Sequence, residues 1–365
     1  MQIPPFKLER WQSIWEHHVE LNIAESGVLP MPAAHLADDP AILDKILALP
    51  LGYPQTNGSR ELRERIAAIY PGADVENVLV TTGGAEANFL SVWHTVAPGD
   101  DAIVMHPNYG QIAGVAQSCG AQVHSWHLRE ELSWQGDPDQ LATLLTRSTK
   151  LIAVCNPNNP TGAIMDTTVM QAVIDAAARV DAWILADEVY SGAELHGIVT
   201  PSFWGHYDKV LCTNSLSKAY ALPGLRTGWI VAPSKTIESL WGAKDYTTIG
   251  PTVIGERLAT LALEPAKRLE ILDRTRRIIA SNYPTVADWI ARRGDVFRHI
   301  APMAGAMAWF SCPGSDELAR RAREQKSVLL CPGEQFEMPG YLRVGFGGHT
   351  GELLEALGRI EELLS

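Results

Sequence analysis

Asn156-Pro157-Asn158-Asn159-Pro160-Thr161-Gly162 follows directly on the apolar run Leu151–Cys155. Asn, Pro and Gly dominate turns, so one reading is a plain β-turn cluster. Its position supports another. The cluster sits at the carboxyl end of a strand-like run, where open α/β sheets bind ligands, and an Asn fixed between prolines is a rigid hydrogen-bonding group. Working outward, residues 60 to 232 alternate between two patterns. Further apolar runs occur at Val78–Val80, Ala102–Met105, Ala182–Ala186, Val210–Thr213 and Trp229–Ala232. Helical segments separate most of them: Glu61–Ile69, Glu86–Thr95, Gln111–Ser118, Asp139–Leu145 and Thr167–Arg179. The alternation predicts an α/β fold with a mainly parallel sheet, its strands buried on both faces by helices.

The flanks read differently. Residues 6–20 predict an amphipathic helix with Phe6, Trp11, Ile14, Trp15 and Val19 on one side, and residues 22–35 an extended arm. Beyond residue 236 a long helical stretch over 252–293 precedes short strands near Ala306–Ser311, Val328–Cys331 and Tyr341–Phe346, and a last helix over Gly351–Leu364. This is the style of a smaller α+β domain. The expected division is 1–35 for the helix and arm, 36–245 for the large domain and 246–365 for the small one.

Three more stretches lie at the ends of apolar runs. Thr81-Thr82-Gly83-Gly84-Ala85-Glu86-Ala87 opens a helix, and its glycines let backbone amides approach an anion at the helix N-terminus. A tight strand-to-helix turn explains the same residues. Asp187-Glu188-Val189-Tyr190 places a carboxylate where burial is costly without a cationic or hydrogen-bonding partner, unless it is an ordinary surface acid. Ser215-Leu216-Ser217-Lys218, followed by Arg226, carries either a solvated lysine or one whose pKa is depressed for Schiff-base chemistry.

The order and spacing of these stretches, from NPNNPTG through DEVY and SLSK to LRTGW, resemble the class I/II aminotransferases, the fold-type-I pyridoxal-phosphate enzymes of the aspartate-aminotransferase superfamily. The resemblance is strongest from Tyr53 to Trp229, with Tyr341–Gly345 the one recognisable C-terminal piece. It implies a mainly parallel seven-stranded sheet with helices on both faces, and pyridoxal 5'-phosphate as cofactor. It also implies amino-acid and 2-oxo-acid substrates and a homodimer.

Residue by residue, the resemblance implies that Lys218 carries the cofactor and Asp187 pairs with the pyridine nitrogen. Asn159 and Tyr190 bond the phenolic oxygen, and Tyr109 stacks on the ring. Gly84, Ala85, Ser215 and Arg226 hold the phosphate, and Tyr53 reaches the phosphate of the neighbouring subunit. Arg343 clamps the substrate carboxylate, with Asn159, Gly27 and Glu25 lining the substrate side. The chain has Gly84 and Ala85 where relatives often place a hydroxyl residue. Elimination, cyclisation or oxidative deamination on the same scaffold is the alternative to transamination.

Composition excludes other classes. The net charge of -12 argues against nucleic-acid binding. No GxGxxG or GxxxxGK[ST] fingerprint is present. The five cysteines show no metal-ligand spacing and fit reduced thiols in a cytoplasmic protein. No membrane span is expected, and the opening Met1-Gln2-Ile3-Pro4-Pro5 lacks the basic and apolar regions of a signal peptide. A dicarboxylate donor would need a second cation, and Tyr246–Thr252 supplies none.

The segment from Trp15-Glu16 to Glu25-Ser26-Gly27 is similar to the opening of arginine-processing members of the family, cyclases and oxidases among them. On that reading Glu16 and Glu25 face a cationic substrate group. The plainer reading, preferred on the sequence alone, puts Glu16 on a solvated helix face and makes Glu25 the cap of a turn.

Overall fold

A computed structural model describes residues 3–37 and 39–364. Met1 and Gln2, part of the opening read for a leader, lie outside the described residues.

The chain opens with helix α1 (Lys7–Trp15) and the two-residue strand β1 (Leu21–Asn22), then runs through α2 (Pro40–Leu47) and α3 (Arg60–Ala67). The sheet region follows as β2 (Val78–Thr81), α4 (Gly83–Thr95), β3 (Asp101–His106), α5 (Gln111–Ser118), β4 (Gln122–Arg129) and β5 (Gln135–Gly136). It continues with α6 (Pro138–Leu144), β6 (Thr149–Cys155), α7 (Thr167–Val180), β7 (Trp183–Asp187), β8 (Val210–Ser215) and β9 (Gly228–Val231). Helices α8 (Ser234–Lys244), α9 (Val253–Ala262) and α10 (Pro265–Ala291) lead to β10 (Arg298–His299), β11 (Met307–Ser311), α11 (Ser315–Lys326), β12 (Val328–Leu329), β13 (Cys331–Pro332), β14 (Tyr341–Gly345) and α12 (Thr350–Leu364).

The large sheet has the order β2-β9-β8-β7-β6-β3-β4-β5. Its seven longer strands are parallel except β9, which runs against both neighbours, and the two-residue β5 adds an antiparallel eighth at the edge. Period-two burial accounts for the layers. Val78, Val80, Ile103, Ile152, Val154, Ile184 and Trp229 point to one core, while Leu79, Ala102, Leu151, Leu185 and Ile230 point to the other. The second core is closed by α4, α5 and α8 through Leu90, Ile112, Val115, Ile237 and Leu240. At about 25 cal/mol per Å² of apolar surface removed from water, burial on both faces is the main term holding these strands.

A four-stranded antiparallel sheet, β10-β11-β14-β13, forms the smaller sheet domain. The arm is stitched to this part of the chain. β1 pairs in parallel with β12 (Leu21 with Val328, Asn22 with Leu329), and Gly345 N donates to Ile23 O at 2.7 Å.

Two expectations are corrected, and one strand is additional to those expected. The strand β4 was not legible as an apolar run, because at this end of the sheet His124, Ser125, His127 and Arg129 leave it half polar and only Trp126 and Leu128 bury. The helical stretch 252–293 is two helices. α9 ends at Ala262, and Glu264 then caps a new helix whose first residue is Pro265, a position where the missing N–H costs nothing. On α1, Ile14 is 48% exposed, and Leu8 and Gln12 are the buried positions. Trp11 and Trp15 pack under the Arg323 guanidinium, 5.1 and 4.0 Å from the ring centroids.

Candidate active site

The four stretches converge at the carboxyl ends of parallel strands. Thr81 ends β2, Cys155 ends β6, Asp187 ends β7 and Ser215 ends β8. Between them and the arm lies a cavity of about 850 Å³. Gly84, Ala85, Tyr109, Asn159, Asp187, Tyr190, Ser215, Lys218, Arg226 and Arg343 all line it, as do Glu25 and Gly27. Tyr53 does not. It is 87% exposed, outside the cavity of its own chain.

One end of the cavity is built for an anion. Helix α4 begins at Gly83, so its first amides, those of Gly84 and Ala85 among them, have no partner within the helix, and both residues line the cavity. Two glycines are required by geometry. A Cβ on Gly83 (φ +78°) would meet Arg226 Nη2 at 2.5 Å, and one on Gly228 would meet the Gly83 carbonyl carbon at 2.5 Å. Small residues therefore let the loop, Arg226 and β9 close on one point, with Ser215 beneath Gly84 at 3.5 Å from such a Cβ.

Asp187 is buried. Its Oδ2 accepts from Asn88 Nδ2 at 2.9 Å and its Oδ1 from Val189 N at 3.1 Å. None of the ion pairs among the described residues includes it. Burial pushes its pKa above the usual carboxylate range, against the pull of Asn88, Val189 and Lys218. A cation placed against this carboxylate would restore the charged form. Asn88 is itself fixed, its Oδ1 accepting from Thr213 Oγ1 at 2.7 Å. The sequence reading missed Asn88. An Asn one turn beyond the glycine loop, between Ala87 and Phe89 on the helix that the loop opens, was the available signal.

Arg343, 1% exposed, sits in the middle of β14. Nη1 donates to Asn159 Oδ1 at 2.7 Å and Nη2 to Ala24 O at 2.6 Å, while the guanidinium lies 5.1 Å from the Phe336 ring centroid. Nε is buried without a partner. A guanidinium fixed on two sides with N–H donors still unspent suits a carboxylate. Asn159 thus uses its oxygen toward Arg343. The neighbouring Asn158 locks the loop by accepting from Thr161 Oγ1 at 2.8 Å and donating to Pro107 O at 3.1 Å.

The remaining groups are held by the N-terminal segment. Tyr109 donates its hydroxyl to Glu9 Oε1 at 2.7 Å and packs edge-on against Phe6. Tyr190 donates to Ser26 Oγ at 2.8 Å. Lys218 Nζ donates to Glu25 Oε1 at 2.7 Å. Glu25 caps a turn as expected, since the same oxygen accepts from Ser26 N and Gly27 N, each at 3.0 Å, but it also faces the cavity. The depressed lysine pKa, one of the two readings of this stretch, is not found. Burial pulls it down, yet the Glu25 carboxylate and Tyr190 outweigh that, and the ammonium is favoured.

A helix N-terminus, the buried carboxylate of Asp187, Lys218 and the buried guanidinium of Arg343 thus border one cavity. The sequence model for aminotransferase class I and II matches residues 50–360, and the chain belongs to that family. Its cofactor is pyridoxal 5'-phosphate. Similar proteins include capreomycidine synthase of Streptomyces vinaceus, 32% identical over 99% of this chain and 94% of that protein. Aspartate aminotransferase of Streptomyces avermitilis is 28% identical over 86% and 81%. Arginine–pyruvate transaminase of Pseudomonas aeruginosa is 29% identical over 88% and 84%. A PLP-dependent aminotransferase from Streptococcus suis has a closely similar structure, with a TM-score of 0.93 at 32% identity over 100% of this chain and 98% of that one.

Proposed function

We propose that this chain moves an amino group from an amino acid to a 2-oxo acid, with pyridoxal phosphate held on Lys218. The observation that carries this reading is the placement of Lys218, Asp187 and Arg343 around one cavity whose floor is a helix N-terminus. Gly84, Ala85, Ser215 and Arg226 hold the phosphate, and Asp187 the ring nitrogen. Tyr109 covers the ring face, and Asn159 and Tyr190 hold the phenolic oxygen. Arg343 fixes the substrate carboxylate, and so fixes which Cα bond stands across the ring. Gly27 and Glu25 line the substrate side. When bound, the cofactor withdraws electrons from Cα. Lys218 takes the Cα proton and returns it to the cofactor side.

The cavity also restricts the donor. With Arg226 given to phosphate and Arg343 to the α-carboxylate, the described lining offers no further arginine or lysine of this chain besides Lys218. It does offer Glu9, Glu16, Glu25 and Glu352. A donor with a cationic side chain fits this balance and a dicarboxylate does not. In an amino-donor screen followed by the cofactor spectrum, arginine or lysine should exceed aspartate and glutamate in kcat/KM. Glu16→Gln should lose activity selectively with the cationic donors. Good turnover of dicarboxylates with none of the cationic donors contradicts this.

A second reading, a PLP-dependent cyclase or oxidase, draws on the 32% identity to capreomycidine synthase over nearly the whole chain. Product analysis separates the two, because only transamination requires a 2-oxo-acid acceptor.

Tyr53 supports a homodimer with shared sites. Leu47, Leu51 and Tyr53, within one short stretch, are 71%, 79% and 87% exposed, and a partner subunit over this stretch would cover them. The expected result is a dimer in sedimentation at working concentration, with Tyr53→Phe weakening cofactor retention. A fully active monomer contradicts it. Five unpaired cysteines fit a reducing, cytoplasmic setting. No helix among the described residues is long and apolar enough to cross a membrane.

A further inference from the structure

Three consecutive residues of the arm each hold one group of the site. Ala24 O takes Arg343 Nη2 at 2.6 Å, Glu25 Oε1 takes Lys218 Nζ at 2.7 Å, and Ser26 Oγ takes the Tyr190 hydroxyl at 2.8 Å. The arm cannot shift to relieve these contacts, because it is pressed against the strand that carries Arg343 and the loop after it. A Cβ on Gly345 would come within 1.9 Å of Glu25 O, and one on Gly347 within 2.1 Å of Gly27 O. The Glu25 carboxylate is also preset, with the oxygen that meets Lys218 already bonded by Ser26 N and Gly27 N. An anion fixed by backbone amides costs little further ordering when a cation forms beside it.

We propose that Glu25 is the positioning counter-ion of Lys218 in every step in which the lysine is free of the cofactor. It aims Nζ into the cavity and stabilises the ammonium formed when Nζ takes the Cα proton. This inference rests on the reading of Lys218 as the cofactor lysine. In the step concerned, the C–H bond at Cα breaks and its electron pair stays with the substrate and cofactor. The proton goes to the lone pair of Nζ, giving an ammonium 2.7 Å from the carboxylate. Returning that proton leaves the neutral amine, so Lys218 ends as it began. The groups facing Nζ are Glu25, Tyr190, Arg343 and Asp187. Glu25 is a close anion from the arm, and Arg343 opposes it. In agreement, the lysine ammonium beside Glu25 holds its carboxyl down at about 2.

The test uses Glu25→Gln, in which an amide oxygen can still accept from Ser26 N, Gly27 N and Nζ, so that charge alone is removed. In the full chain freed of cofactor, lysines are labelled by reductive ¹³C-methylation and the Lys218 signal is titrated by NMR. Its midpoint should fall by about 1–3 pH units in Glu25→Gln. Glu25→Asp, which keeps the charge, should recover most of that shift. In the cofactor-loaded enzyme, single turnover of a Cα-deuterated donor at saturation should slow several-fold in Glu25→Gln with a larger isotope effect. An unchanged Lys218 midpoint overturns the inference. So does a rise in KM alone with the isotope-sensitive step untouched, which would make Glu25 a substrate-binding residue only. Failure of the underlying reading looks different: a Lys218→Ala chain that retains the lysine-linked absorbance of the cofactor.

Discussion

Lys218→Ala is expected to remove the lysine-linked visible band of the cofactor and to lower turnover by at least about 10²–10⁴-fold, the range for loss of a positioned proton-transfer group. The fold should survive. Lys218 lines a cavity, and the Glu25 carboxylate left behind keeps both backbone donors and opens to water, its side chain being 47% exposed. The thermal midpoint of the cofactor-free chain should therefore move by no more than a few degrees. Absorbance, turnover and melting of the one variant decide the matter together. Full activity removes Lys218 from the chemistry, whereas collapse of the fold would show that the lysine is structural.

Asp187→Ala should act on kcat. Its carboxylate is buried, held by Asn88 and Val189, and lacks a cation among the described ion pairs. Charge placed against it is stabilised most where positive charge is needed as the Cα–H bond breaks, so its loss belongs to the transition state. We expect kcat to fall by about 10²–10³-fold, as for other preorganised electrostatic groups. Cofactor affinity should fall much less, because the phosphate end of the site is separate and untouched. Asn88 remains anchored through Thr213, so the variant should keep the pocket's shape. A near-normal kcat would refute the pairing of Asp187 with the ring nitrogen.

The legible parts of this molecule are those where local chemistry and topology coincide. NPNNPTG, DEVY and SLSK each follow a strand buried on both faces, and such strands are continuous apolar runs that point to their own ends. The strand Gln122–Arg129 escaped notice because one side of it is open at that end of the sheet, and a half-exposed strand alternates instead of running apolar. Distance in sequence hid most of the rest. Glu9 meets Tyr109 across 100 residues, Ser26 meets Tyr190 across 164, and Glu25 meets Lys218 across 193. No local pattern marks such pairs. Glu25 shows the limit well: read alone it is a turn cap, which is correct, and its second partner is visible only once the arm is laid against β14. The direction of the Lys218 pKa was missed for the same reason, since burial could be anticipated from its neighbours in sequence but the opposing carboxylate could not.

The most direct test of the account is the half-reaction. Enzyme loaded with pyridoxal phosphate is mixed with excess amino donor and no acceptor, and 2-oxo acid is counted against active sites while the cofactor spectrum is recorded. The expected result is one equivalent of 2-oxo acid per Lys218, conversion of the cofactor to its amine form, and a halt until a 2-oxo acid is added. Product that keeps accumulating without acceptor, with the lysine-linked form of the cofactor restored each cycle, would contradict it.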